Sequence, residues 1–126
     1  MAIRFEQIPQ VVAVGSAGSA TGAQSSSHPV DGFLLAIGVA QGNTPHANTD
    51  ITITTEYGGK ARTLLTLTNN NTTALTWYDV RELLDGTDGA SLTGQYGLLP
   101  IGGYVTVTVA QGGSAATCDV TLVYVD

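Results

Sequence analysis

The sequence predicts an all-β fold, an antiparallel β-sandwich or jelly roll of about eight strands. Three observations predict it. Eighteen threonines and sixteen glycines stand where charged residues usually would, and only 11% of the chain is charged; an ordinary globular chain has about 25%. Threonine suits a pleated, half-solvated strand surface and glycine suits tight turns. Apolar and polar residues also alternate along several segments, most strictly from Tyr104 to Val109. Finally, one passage occurs twice. Thr21-Gly22, Pro29-Val30, Gly32-Phe33, Val39-Ala40-Gln41-Gly42 and Asp50-Ile51-Thr52-Ile53 return in order. The second set is Thr93-Gly94, Pro100-Ile101, Gly103-Tyr104, Val109-Ala110-Gln111-Gly112 and Asp119-Val120-Thr121-Leu122, at an offset that drifts from 72 to 69. The repeat predicts a duplicated hairpin: 33–39 pairs with 50–56, 103–109 pairs with 118–125, and a pseudo-two-fold axis relates the two.

The elements follow in order. Residues 1–18 mix charge, Pro and isolated apolar positions and read as an N-terminal arm or a first edge strand; residues 19–126 read as one sandwich domain. Val11 to Val14 is a short strand candidate. Gly15 to Ser27 is almost all Gly, Ala, Ser and Thr, and the repeat allows part of it to be a strand of small side chains. Phe33 to Val39 is a nearly continuous apolar run, which marks a strand buried on both faces. Gln41 to Thr49 reads as a loop. Asp50 to Glu56 turns Ile51 and Ile53 to one face. Tyr57 to Lys60 is a turn, Thr63 to Thr68 a strand, and Leu75 to Val80 a strand carrying Trp77. Asp79 to Leu84 fits either a strand or one helical turn capped by Asp79, Glu82 and Gly86. Asp85 to Gly89 is a turn. In the last two strands Val105, Val107 and Val109 share a face, as do Val120, Leu122 and Tyr124.

Charge and cysteine content exclude several functions. The net charge is −6, and Arg4, Lys60, Arg62 and Arg81 are the only strong cations. Nucleic acid and anionic membranes need clustered Lys or Arg, and only Lys60 and Arg62 lie close together. Cys118 is the single cysteine, so no intrachain disulfide forms. No apolar stretch approaches the roughly 20 residues of a membrane span, and the N-terminus lacks a signal-peptide layout. These features predict synthesis and folding in a cytoplasm.

No residue set composes a reaction centre, so the chain reads as a non-enzyme with no cofactor. His28 and His46 sit beside prolines in loops, without the spacing of a metal site. Ser25-Ser26-Ser27 precedes His28 but lacks a nucleophile elbow. Asp85, Asp88 and Ser91 lack the terminal Glu of a calcium loop. Cys118 is in phase with Val120 and Leu122 and reads as a small buried hydrophobe. Trp77 reads either as core or, with Tyr78, Tyr57 and Tyr96, as a sugar-stacking platform. A surface with so few charges is cheap to desolvate, which suits a module that binds or assembles.

The run Val30-Asp31-Gly32-Phe33-Leu34-Leu35-Ala36-Ile37, then Gly42-Asn43-Thr44-Pro45, Asp50-Ile51-Thr52-Ile53, Arg62-Thr63-Leu64-Leu65 and Gly103 to Gly112, resembles small β-rich virion proteins of tailed bacteriophages. The resemblance is to capsid decoration, or cement, proteins and covers most of residues 30–125. It implies a structural protein on the capsid exterior that clamps major capsid protein subunits, as a homo-oligomer with a trimer favoured. It carries no catalytic residue. The expected capsid contact is the N-terminal arm, with Arg4, Phe5, Ile8 and Val11. The alternative is a carbohydrate-binding or adhesion module of a phage tail or fibre, built on Trp77.

Overall fold

The computed structural model describes residues 2–56, 59–79, 82–84, 91–96 and 99–126, with the backbone alone for 82–84 and 91–96. Twelve strands are described: β1 Ile3–Gln7, β2 Val11–Val12, β3 Ala20–Ser25, β4 Gly32–Gly42, β5 Asp50–Thr55, β6 Arg62–Leu67, β7 Thr76–Asp79, β8 Glu82–Leu84, β9 Ser91–Tyr96, β10 Leu99–Ile101, β11 Val105–Gly112 and β12 Thr117–Val125. Ten of them form two antiparallel sheets packed face to face. The larger runs β1-β12-β4-β10, with β2 added on β12 and β7 on β4; the smaller runs β3-β11-β5-β6. β8 and β9 form a separate two-stranded ladder. The count exceeds eight in part because a strand as short as β10, three residues with Pro100 at its centre, carries too few residues for alternation to reveal it. Residues 82–84 are strand, not a helical turn. The Asp85–Gly89 turn and Tyr57 lie outside the described residues.

The core is the meeting of two alternating faces. From the smaller sheet come Ile51, Ile53, Val105, Val107 and Val109; from the larger come Ile37, Val39, Val120 and Leu122, all at most 4% exposed. Each such side chain contributes roughly 1.5–3 kcal/mol of burial. β4 is central, paired with β12 on one side and with β10 and β7 on the other, as its continuous apolar run requires.

The expected hairpins do not form. β4 lies in the larger sheet and β5 in the smaller, while β11 lies in the smaller and β12 in the larger. Each repeat therefore crosses between the sheets instead of folding back in one. The link from β4 to β5, residues 43–49, is long enough to span the ~10 Å between stacked sheets. The link from β11 to β12 turns its corner with positive φ at Gln111 and Ala115. The two-fold relation appears instead in the pairing between repeats. Val39 pairs with Val120, and its repeat equivalent Val109 pairs with Ile51, the equivalent of Val120. Ile37–Leu122 and Val107–Ile53 correspond in the same way, as do Gly38–Thr121 and Thr108–Thr52. The correspondence continues outward: Ile101 pairs with Gly32, and Val30 N–H donates to the Gly103 carbonyl at 2.8 Å. Each repeat thus lends one strand to each sheet.

Residues 2–18 are woven into this core. β1 pairs with β12 at the edge of the larger sheet. Ile8, Val11 and Ala13 are each 1% exposed. Deleting residues 1–14 removes all three, so the truncated chain is expected to melt well below the full chain, by roughly 10 °C or more in a thermal scan. An unchanged melting temperature would show that this segment is a detachable arm.

Candidate functional site

Strand alternation gives each sheet an outer face of very different chemistry. On the smaller sheet the ladders align Ser25, Thr106, Thr54 and Thr63 in one row, and Ala23, Thr108, Thr52 and Thr66 in the next. Ser25 and Thr106 share a hydroxyl–hydroxyl hydrogen bond of 2.8 Å. This face is an array of exposed and half-buried hydroxyls.

The outer face of the larger sheet is mainly apolar, with Gln7, Thr121 and Asp79 at its margin. One row runs Ile3, Val125, Phe33, Pro100; the next runs Phe5, Val123, Ala36, Asp79; the third runs Gln7, Thr121, Gly38, Trp77. Phe5 is 71% exposed, Ile3 64%, Trp77 45% and Phe33 44%. Trp77 reaches across β4 and lies on Gly38. A Cβ built there would meet the indole ring at 2.7 Å, so only glycine lets the ring lie against the backbone. Trp77 is thus held flat on the surface with much of its ring in solvent, which corrects the reading of it as core.

Of the four residues expected at a contact, two are exposed and two are buried. Phe5 and Arg4 are exposed. The Arg4 guanidinium Nε donates to Asp126 Oδ2 at 2.7 Å, which holds the Asp126 carboxyl below its ordinary range and raises Arg4. Ile8 and Val11 point into the core and present nothing to a partner. The cause is parity: Arg4, Glu6 and Ile8 alternate to one side, where Glu6 and Ile8 are buried and Arg4 reaches solvent at the end of the strand, and the odd-numbered Ile3, Phe5 and Gln7 share the exposed side.

The chemistry-bearing residues are scattered. His28 Nε2 lies 2.9 Å from Oε1 of the buried Glu6, so this loop histidine covers the end of β1. His46 shapes its own loop: its Nδ1 accepts from Asn48 N–H, and its carbonyl accepts from the Thr49 hydroxyl. Ser26 is buried and donates to the His28 carbonyl at 2.8 Å, bracing the loop. The side chains of Asp85, Asp88, Ser91 and Tyr96 lie outside the described residues. Tyr78 turns inward beside Leu34, Ile37, Leu64, Leu65, Asp79 and Leu99 around a cavity of about 50 Å³, room for a water or two.

Cys118 is 2% exposed, and burial, helped by nearby Asp119, pushes its thiol up to about 12. The thiolate is the reactive form. A thiol reagent at pH 8 is expected to label the native chain at least about a hundredfold more slowly than the unfolded chain, measured as release of the chromophore from an aromatic disulfide. Equal rates would place Cys118 at the surface. In the unfolded chain the thiol ionises near pH 8.5. Its contribution to stability is therefore full below that pH and is lost as pH rises toward 12.

No family model matches the chain, and no curated protein does.

Proposed function

We propose that the chain is a structural virion protein, a decoration protein that binds the outside of a bacteriophage head and stabilises contacts between major capsid protein subunits. The observation that carries this reading is the outer face of the larger sheet, where Ile3, Phe5, Phe33, Val123 and Trp77 form a continuous apolar surface on a rigid platform. Contiguous apolar surface of this kind marks an interaction site. Its chemistry suits burial against another protein at a subunit junction, and many copies on one lattice add avidity. The sequence resemblance supports the same assignment. The working contact is then Phe5 and Phe33, flanked by Arg4, and not Ile8 or Val11.

The test is cosedimentation of the purified chain with head particles assembled from the major capsid protein encoded with it. The expected result is saturable binding at a fixed ratio of chain to capsid subunit. Absence of binding to intact heads at saturating chain would reject the reading.

Trp77 favours a second reading, a carbohydrate-binding or adhesion module. Its ring is pinned flat over Gly38 with one side open, the geometry on which a sugar ring stacks. A glycan array separates the two: binding that disappears in Trp77→Ala selects the second.

A further inference from the structure

Along the edges of the two packed sheets, β1 is the one strand of five or more residues that no proline, bulge or covering segment blunts. Natural edges are blunted by Lys or Arg, Pro, bulges, shortness or cover. β6 begins with the exposed Arg62 close to Lys60, and its ladder with β5 is bulged. β10 is three residues long with Pro100 at its centre. β7 has four residues and ends in Asp79. The edge of β3 is approached by residues 11–14: Val14 bridges to Thr21, and a Cβ on Gly22 would meet the Val12 carbonyl at 2.7 Å. β1 has five residues, Ile3–Gln7, with no proline, glycine or bulge, and its single cation, Arg4, is tied to Asp126.

The free hydrogen-bonding groups of β1 can be assigned. Ile8 N–H donates to the Val120 carbonyl, and Asp126 N–H donates to the Ala2 carbonyl. Residues of even number therefore face β12, and by alternation Ile3, Phe5 and Gln7 turn their N–H and C=O groups outward. Their side chains are exposed as well. The edge presents three donors and three acceptors beside two large apolar side chains.

We propose that β1 pairs antiparallel with β1 of a second copy of this chain, about a two-fold axis through Phe5. This register uses every free group: Phe5 exchanges two hydrogen bonds with its counterpart, and Ile3 exchanges two with Gln7 at each end. It sets the Phe5 rings side by side on the outer face, where they cover one another's apolar surface. It also sets Arg4 opposite Glu6 of the other copy, so no like charges meet across the junction, while Arg4 keeps Asp126 and Glu6 keeps His28 within each copy. Centring the pair on Ile3 or Gln7 strands part of the edge and loses that match. The second copy is favoured over a foreign strand because the edge is self-complementary in hydrogen bonding and in charge. The two larger sheets become one continuous sheet with a joined apolar outer face. The contact is two-fold, unlike the trimer that the resemblance implies, and it is independent of the capsid reading.

The experiment is sedimentation velocity of the full chain from micromolar to millimolar concentration, with Phe5→Pro and Phe5→Lys beside the wild type. Proline removes only the Phe5 N–H, which points away from β12, and its place on an edge is tolerated. Lysine keeps that N–H and sets two like charges at the axis. The wild type is expected to show a concentration-dependent dimer. Phe5→Pro is expected to abolish it, and Phe5→Lys to weaken it by about tenfold or more. Far-ultraviolet circular dichroism confirms that the variants are folded; should Phe5→Pro unfold, Phe5→Lys decides. A wild type that stays monomeric throughout, or a dimer or trimer that a folded Phe5 variant leaves unchanged, overturns the proposal. Dimerisation without binding to heads would reject the capsid reading and leave this one standing.

Discussion

Replacing Gly32 by alanine is expected to lower the melting temperature by roughly 10–20 °C. Two independent costs meet at this residue. Its φ is +151°, a conformation open to glycine and strained for any L side chain, at a cost of roughly 1–3 kcal/mol. A Cβ there would also run into the backbone carbonyl of Val125. That atom belongs to β12, the neighbouring strand of β4, so it cannot move without disturbing the ladder at the centre of the larger sheet. Overpacking against backbone adds roughly 1–3 kcal/mol. Its repeat equivalent, Gly103, also has positive φ, at +76°, and both sit where the chain turns into the first strand of a repeat. Thermal unfolding followed by circular dichroism measures the effect. A loss of only a degree or two would mean that the β4–β12 junction is plastic.

Ile53→Ala and Leu122→Ala are expected to destabilise the fold by roughly 3–4 kcal/mol each. The argument rests on equivalence as well as burial. Both side chains are 0% exposed. Ile53 pairs with Val107 in the smaller sheet, and Leu122 pairs with Ile37 in the larger. The repeat interchanges these two ladders, so the cavities left by the two truncations should resemble one another. Urea unfolding of the two variants is expected to give losses within about 1 kcal/mol of each other. Thr54→Ala, one residue along on the hydroxyl face, is expected to change stability by about 0.5 kcal/mol or less. A near-neutral Leu122→Ala beside a severe Ile53→Ala would show that the sequence repeat is not a structural one.

The all-β class and the core faces were legible because alternation is a local signal. Spacing alone puts Ile51 with Ile53, Val105 with Val107 and Val109, and Val120 with Leu122 on common faces, and each of these faces is buried. Pairing was not legible in the same way. The repeat signals equivalence, and a hairpin and a crossed pair of repeats satisfy it equally. What distinguishes them is whether links 43–49 and 113–116 turn within a sheet or step between sheets, and that depends on partners distant in sequence. The N-terminal contact was half legible. Exposed Phe5 and buried Ile8 look alike in a segment with isolated apolar residues, and their sides are set by the pairing of β1 with β12. The choice between core and surface for Trp77 was not legible, because its seat is made by the absence of a side chain at Gly38, on a strand nearly forty residues earlier.

On the proposed function, the apolar outer face of the larger sheet, and not the hydroxyl face of the smaller one, meets the capsid. The most direct measurement is cosedimentation with capsid particles using one charged or polar substitution on each face. Phe33→Ser lies in the apolar rows and Thr108→Asp in the hydroxyl rows, and both positions are exposed. The account predicts that Phe33→Ser weakens binding by about tenfold or more while Thr108→Asp binds as the wild type does. Binding lost in Thr108→Asp and kept in Phe33→Ser would contradict it and move the working surface to the opposite side of the sandwich.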